Sequence, residues 1–571
     1  MYIQTNKSTI KGKTYTYPVL CRKYREDGKV KTEVILNLSK LPSEVVLGIK
    51  GALCKEKQAM VPLKDLMITK SIDYGFVYVL ISLMNRLRIG EVFEKVIGEE
   101  RAKLVKLMII GKIVTKGSKL SIFNWINRNE AIGKILGINI KELKLNDLYE
   151  VLGDLPNIQD KLEKKWFLYQ KGKQKEIFLY DITSCYFEGT ENALSALGYN
   201  RDGKKGKLQI VIGLITDNAG NPLSIRVFEG NVNDHTTVVE ELQKIRSEYA
   251  TDQVIFVGDR GMRIRYNLER MEEDEKKGIG YITALSTEEI RCLLKENVFQ
   301  LSLFGKELAE IEDSGTRYVL CDNPELGREK TETRLSLRNR FEDQLASIRC
   351  AYDNRQFQNE ANRKKLSAGH KNKKLVTDFR ESQIDNFKYR VRKALERYHM
   401  QSFYQIKVDG EKFEVEFLFD KFSQAKMLDG KYVIVTNVVK ERLSKEQVRE
   451  EYKNLKHVEH AFRDMKTMQL DVRPIYHINE NTTRGHVLVT MFSYAIIKEI
   501  ENKIFPWLKM NNKKNKEQIS FKDIEEELKM IKLNVLKIGG NHEEIKITEP
   551  SLRQREIFKN LEISCEDLNN M

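Results

Sequence analysis

A chain of 571 residues exceeds what one ordinary core organises and predicts two to four domains. Hydrophobic residues make up 41% and charged residues 32%, with only nine prolines, a composition that excludes extended disorder. The net charge of +15 favours a polyanionic partner, because each Lys or Arg set on a phosphate releases a condensed counterion; lysine bias from an AT-rich genome is the competing explanation. The seven cysteines are scattered with no CxxC pair, which rules against a zinc ribbon or disulfide framework and fits a reducing cytoplasm. The polar, basic opening MYIQTNKSTIKGK predicts no signal peptide, and the lack of a run of about 18 uncharged apolar residues predicts no membrane span. A soluble, cytoplasmic protein is expected.

The first sixty residues hold 12 Lys/Arg against 5 Asp/Glu and alternate like short strands, with a turn near Gly28, so residues 1–70 read as a basic β-ribbon. Helical patterning follows over 71–170, as in VYVLISLMNRLRIGEVFEKVI. A basic ribbon followed by helices suits a DNA-end-recognition module or, equally, a scaffold with a solvated face.

From 171 to 286 the texture changes. KEIFLYDITSCYFEG reads as a buried strand ending at Asp181, and LQIVIGLITDNAGNPLSIRVFEGN as a hairpin about an Asp-Asn-Ala-Gly-Asn-Pro turn. Then come a helix over HTTVVEELQKIRSEY, a second buried strand QVIFVGDRG, a helix over IRYNLERMEEDEKKG and a strand YITALS. The order β-β-β-α-β-α-β predicts an α/β fold with a mixed sheet and helices on its faces. Residues 287–430 break the rhythm: two β-ribbons flank a long charged helical stretch in which ANRKKLSAGHKNKKLVTDFR carries 7 Lys/Arg against one Asp. This block reads as an inserted β-rich domain. Patterning resumes over 431–505, and 506–571 reads as a basic, partly helical tail.

Three carboxylates stand out. Asp181 and Asp259 each follow an apolar strand, where an acid is most often a turn or helix cap. Two such acids on neighbouring strands repel unless a cation lies between them, and hard oxygen ligands select Mg²⁺ or Mn²⁺. The third, Glu459, lies in a helical stretch where Tyr452, Glu459 and Lys466 recur every seven residues on one stripe of a continuous helix, beside an apolar stripe of Leu455, Val458, Phe462 and Met465. A surface helix with paired charges fits that spacing too. Among rival acids, Asp217 sits in a hairpin turn and Asp234 precedes a helix as a cap; Glu229 and Glu188 are near, and His235 and His460 read as structural.

The blocks LYDITSCYFEG, LQIVIGLITDNAGNPLSIRVFEGNVNDHTT, VIFVGDRGM and YKNLKHVEHAFRDMK together resemble the insertion-sequence DDE transposases whose third acid lies in a Tyr-Arg-Glu-Lys helix motif, over about Lys175–Glu499. The opening GKTYTYPVL…NLSKLP is similar to the N-termini of such proteins. The resemblance implies an RNase H-like catalytic domain interrupted, in the 199 residues between Asp259 and Glu459, by the inserted domain. It implies Asp181, Asp259 and Glu459 as ligands of two Mg²⁺ ions, with Mn²⁺ substituting. Tyr452 and Lys466 are implied contacts to the transposon end, with Arg463, Lys456 and Arg260 as further DNA contacts. The function implied is binding of terminal inverted repeats, cleavage, and joining of a 3′-OH to target DNA by in-line phosphoryl transfer in a homodimer or larger synaptic complex. One departure is plain: the motif's Arg, three residues after Tyr452, is Leu455. A nuclease without strand transfer, a non-catalytic DNA-binding regulator and a decayed element are the alternatives.

Overall fold

The computed structural model describes residues 1–10, 13–53, 66–170, 176–204, 206–232, 254–259, 279–305, 308–366, 373–409, 412–466, 470–515, 520–538 and 542–569. The two helices read over 235–249 and 264–278, with Asp234, His235 and Arg260, lie outside them. The chain divides into two compact units, Met1–Arg86 with Glu499–Met571, and Leu87–Lys498. Among the described residues no helix is long and apolar enough to cross a membrane.

In the first unit, strands β1 (Tyr2–Ile10), β2 (Lys13–Glu26) and β3 (Lys29–Asn37) form an antiparallel sheet. The β2–β3 turn places Asp27 and Gly28 at φ 47° and 75°, the positive-φ pair that a two-residue hairpin requires. The C-terminal segment, read as a helical tail, also contains strands: β15 (Lys532–Ile538) pairs with β4 (Leu66–Asp73) on one side and with β16 (His542–Ile547) on the other. Both are short, and the edge of β15 against β4 is set by a partner some 460 residues away rather than by a strong local pattern.

The second unit is built on an eight-stranded mixed sheet. Its members are β5 (Ile177–Tyr186), β6 (Gln209–Asp217), β7 (Pro222–Glu229), β8 (Val254–Gly258), β9 (Ile279–Ala284), β10 (Leu308–Asp313), β11 (Thr316–Asp322) and β14 (Lys431–Thr436), in the order β10-β11-β14-β9-β8-β5-β6-β7. β5, β6 and β7 form an antiparallel meander, while β5-β8-β9 pair in parallel. This is the mixed α/β organisation expected of an RNase H-like domain. Side chains of period two put Phe178, Tyr180 and Ile182 into one core with Phe256, Tyr281, Leu320 and Val435. Asp181 and Thr183 therefore face the other side of the sheet.

Asp217 closes the meander as a turn residue, its Oδ1 accepting from the backbone N–H groups of Ala219 (3.1 Å) and Asn221 (2.8 Å). The Glu-Gly-Asn end of β7 is a packing device. A Cβ on Gly230 would lie 1.9 Å from the Gln209 carbonyl oxygen, and the Gly230 N–H donates to the Leu194 carbonyl (3.0 Å). A helix at Gln159–Gln170 docks on β7 through fully buried Glu163, whose carboxylate accepts from Ser224 Oγ (2.8 Å) and the Ile225 N–H (3.1 Å).

The block 287–430 is less strand-rich than its sequence suggests. Its first ribbon, β10–β11, extends the main sheet; the charged stretch is two helices, Pro324–Leu366 and Lys373–Arg397, of 43 and 25 residues; the second ribbon is β12 (Tyr404–Asp409) with β13 (Lys412–Phe417). Phe341, Leu345 and Ile348 of one helix and Phe387, Val391 and Ala394 of the other share a small core with Tyr404 and Val415. Both triplets follow the i, i+4, i+7 spacing of a helix face, diluted among charges.

Candidate active site

The strand register brings the first two acids together. Tyr180 pairs with Gly258 in the parallel β5–β8 ladder, so the next positions, Asp181 and Asp259, stand on adjacent strands about one strand spacing, ~4.8 Å, apart. Asp181 does not end its strand as the sequence suggests. β8 stops at Gly258 while β5 runs on to Tyr186 against β6, so Asp181 ends only the parallel ladder. The Asp259 carbonyl accepts from Thr283 Oγ1 (3.3 Å) on β9.

Glu459 arrives on a helix, but not on the continuous one anticipated. The stretch divides into Lys445–Lys453 and Lys456–Lys466, with a tight turn at Asn454 and Leu455. Asn454 Nδ2 donates to Glu451 Oε2 (3.2 Å), and a side chain bonded locally in this way competes with the helical backbone. The seven-residue stripe through Tyr452, Glu459 and Lys466 is thus not a single helix face. The apolar stripe does hold: Leu455, Val458, Phe462 and Met465 are all buried. It seats the Lys456–Lys466 helix against β5, leaving Glu459 and Arg463 exposed.

One cleft of about 560 Å³ is lined by Asp181, Asp259 and Glu459, by Tyr452, Lys456, Arg463 and Lys466, and by Arg201, Lys453 and Leu455. All the sequence-nominated residues within the described chain meet there. Tyr452 Oη donates to Asp259 Oδ1 at 3.5 Å. Two of the rival residues are engaged elsewhere: Glu188 pairs with Lys207 (2.7 Å), and His460 Nδ1 lies 2.8 Å from Asp464 Oδ2.

Burial pushes the Asp181 carboxyl up to about 7, against a backbone hydrogen bond from Ile182 and the Arg201 charge that pull it down; Asp259 and Glu459 raise it further. A carboxyl so placed is costly as an anion beside two others, and hard oxygen donors of this kind suit a small divalent cation; the three carboxylates line one cleft without their oxygens all lying within 4.8 Å of one another.

Residues 172–496 match the family described as transposase DDE domain. The chain belongs to the DDE transposases. Residues 3–60 match the N-terminal domain of IS1634 family transposases, which makes this an insertion-sequence transposase. No curated protein matches the sequence. A cryo-EM structure of the piggyBac transposase synaptic complex with hairpin DNA is similar with a TM-score of 0.33 and 9% identity, over 76% of this chain and 70% of that one.

Among the residues that the sequence of this transposase does not mark are Arg201, which lines the cleft, and its neighbour Asp202. The Asp202 side chain is 2% exposed, and its Oδ1 takes both Lys466 Nζ (2.9 Å) and the Arg473 guanidinium. Lys466, itself buried, thus enters the cleft with an ion-pair partner. The available signal was an Arg-Asp-Gly-Lys-Lys-Gly loop after a strand, which alone reads as a solvated turn. Asp202→Ala is expected to strand two cations and to cost about 3 kcal/mol of stability. Urea denaturation checks this; an unchanged midpoint would show the pair to be dispensable.

Proposed function

We propose that this transposase binds the terminal inverted repeats of its insertion sequence, cleaves at them and joins the freed 3′-OH to target DNA, with Asp181, Asp259 and Glu459 holding two Mg²⁺ ions. The observation that carries this reading is the convergence, in one cleft, of two acids set side by side by strand register and a third on a docked helix, rimmed by Lys and Arg. When bound, such a metal pair supplies an activated water or 3′-OH and stabilises the leaving oxygen.

The protein's own groups have separate tasks. Asp181 holds a proton up to about pH 7, so cation binding and release of that proton are linked. Lys456 and Arg463, exposed on the Glu459 helix, face the cleft where a phosphate backbone would lie. The Tyr452 hydroxyl orients Asp259, and its ring is offset-stacked on Tyr432 at 6.5 Å, which restrains the side chain. DNA as substrate follows from the family and agrees with the net charge of +15. Bringing two ends together calls for at least two protomers.

The test uses duplexes carrying the ends of the element that encodes the chain, with Mg²⁺, Mn²⁺ or EDTA. Strand cleavage and a joined target product are expected with either metal, and neither with EDTA. Cleavage without joining would reduce the protein to a nuclease; end binding with neither product would make it a DNA-binding regulator.

A further inference from the structure

Arg201 has no assigned role, yet it occupies the wall of the cleft that holds the three acids. It lies on the loop between β5 and β6, and that loop is tied down along its length. Ala196 and Gln209 form an isolated β-bridge, and Gln209 Nε2 donates to both the Tyr199 carbonyl (3.2 Å) and the Gly230 carbonyl (2.8 Å). The Arg201 N–H donates to Ser184 Oγ (2.8 Å), and its Nη1 to the carbonyl of Ile182 (3.1 Å), the residue after Asp181. The side chain is exposed, but its guanidinium is anchored to the catalytic strand. The next residue, Asp202, turns inward and binds Lys466 and Arg473. One short loop thus aims a cation into the cleft and braces another from beneath.

Guanidinium on a fixed tether suits phosphate recognition: it is planar and always charged, and little rotamer freedom is lost when it binds. Leu455, apolar and buried, lines the same cleft.

We infer that Arg201 binds a backbone phosphate of the DNA next to the scissile bond, holding the strand against the three acids from the β5 side while Lys456 and Arg463 hold it from the helix side. The inference rests on the cleft being the cleavage site.

The experiment compares wild type, Arg201→Gln and Arg201→Lys on end duplexes in which single phosphates around the cleavage position are replaced by neutral methylphosphonates. End binding is read by fluorescence anisotropy and cleavage by single-turnover kinetics. Arg201→Gln is expected to slow cleavage at least ~30-fold while remaining folded at the assay temperature, and Arg201→Lys to recover part of it. At one phosphate the methylphosphonate is expected to weaken wild-type binding about tenfold and Arg201→Gln binding no further, the non-additivity that marks a direct contact. Losses that add at every position, or cleavage by Arg201→Gln within twofold of wild type, would overturn the inference. The binding arm reads Arg201 even if no strand is cut. Absence of wild-type cleavage therefore rejects the cleavage-site reading, while the phosphate coupling still decides the Arg201 contact.

Discussion

Asp181→Asn is expected to lower strand cleavage by at least ~10³-fold and, at pH 8 without metal, to raise the melting temperature by several degrees. The activity loss follows from removing a proposed metal ligand that stands beside Asp259 in the register and lines the same cleft as Glu459. The gain in stability follows from the same geometry. The folded carboxyl titrates near 7, against an ordinary value of 3.8, mainly because it is buried and secondarily because Asp259 and Glu459 repel its charge. Below pH 4 both folded and unfolded chains hold the proton, and no penalty exists. Between 4 and 7 the unfolded chain loses the proton first, so stability falls as pH rises; above 7 the penalty is constant, at most about 4 kcal/mol. The amide carries no charge and escapes it. Calorimetry at pH 4.5 and pH 8 checks this: the gain should be present at pH 8 and largely absent at pH 4.5. A variant less stable than wild type at pH 8 would refute the strained-acid account, and one that still cleaves would remove Asp181 from the site. Asp259→Asn and Glu459→Gln should also lose cleavage, with only the smaller stability gain that comes from removing their repulsion of Asp181.

Lys119→Met is expected to stabilise the protein at pH 7 by at least ~2 kcal/mol and to flatten its alkaline stability profile. Lys119 is 1% exposed, and its Nζ lies 3.0 Å from His486 Nδ1. The other groups around it are basic as well: Lys112, whose Nζ donates to the Asp471 carbonyl (3.3 Å), and His477, whose ring centroid is 5.0 Å from that of His486. Burial, then the Lys112 charge, pulls the Lys119 ammonium down to about 7; burial pulls Lys112 to about 8 and His477 to about 3, and His486 well below its ordinary value. For a lysine with a lowered folded pKa the penalty is absent above pH 10.5, where both states are neutral. It grows as pH falls from 10.5 to 7, because the unfolded chain takes up the proton first, and is constant below 7. Wild-type stability should therefore rise from pH 7 toward 10. In Lys119→Met only the smaller rise from Lys112, above pH 8, should remain. Urea midpoints across that range are the measurement. Equal slopes in the two proteins would mean that Lys119 keeps its proton in a partnered site.

Local chemistry decided several features of this transposase. Alternation along IFLYDITS placed Asp181 on the face away from the aromatic core, and the Asp-Asn-Ala-Gly-Asn-Pro run closed the β6–β7 hairpin, because period-two patterning and turn propensities act over a few residues. The stripe of Leu455, Val458, Phe462 and Met465 likewise announced which side of the Glu459 helix is buried. Anything set by partners distant along the chain had to await the folded molecule. The side-by-side placement of Asp181 and Asp259 depends on a register between strands some eighty residues apart. The arrival of Arg201 beside Asp181 depends on a loop whose anchors are backbone carbonyls and a serine hydroxyl, which leave no pattern. The turn at Asn454 and Leu455 went unread because a seven-residue spacing survives a local break when both halves dock on the same surface. Charged helices in 324–397 hid their apolar face for a related reason: a narrow seam needs few residues, and only the packed partner shows which ones form it.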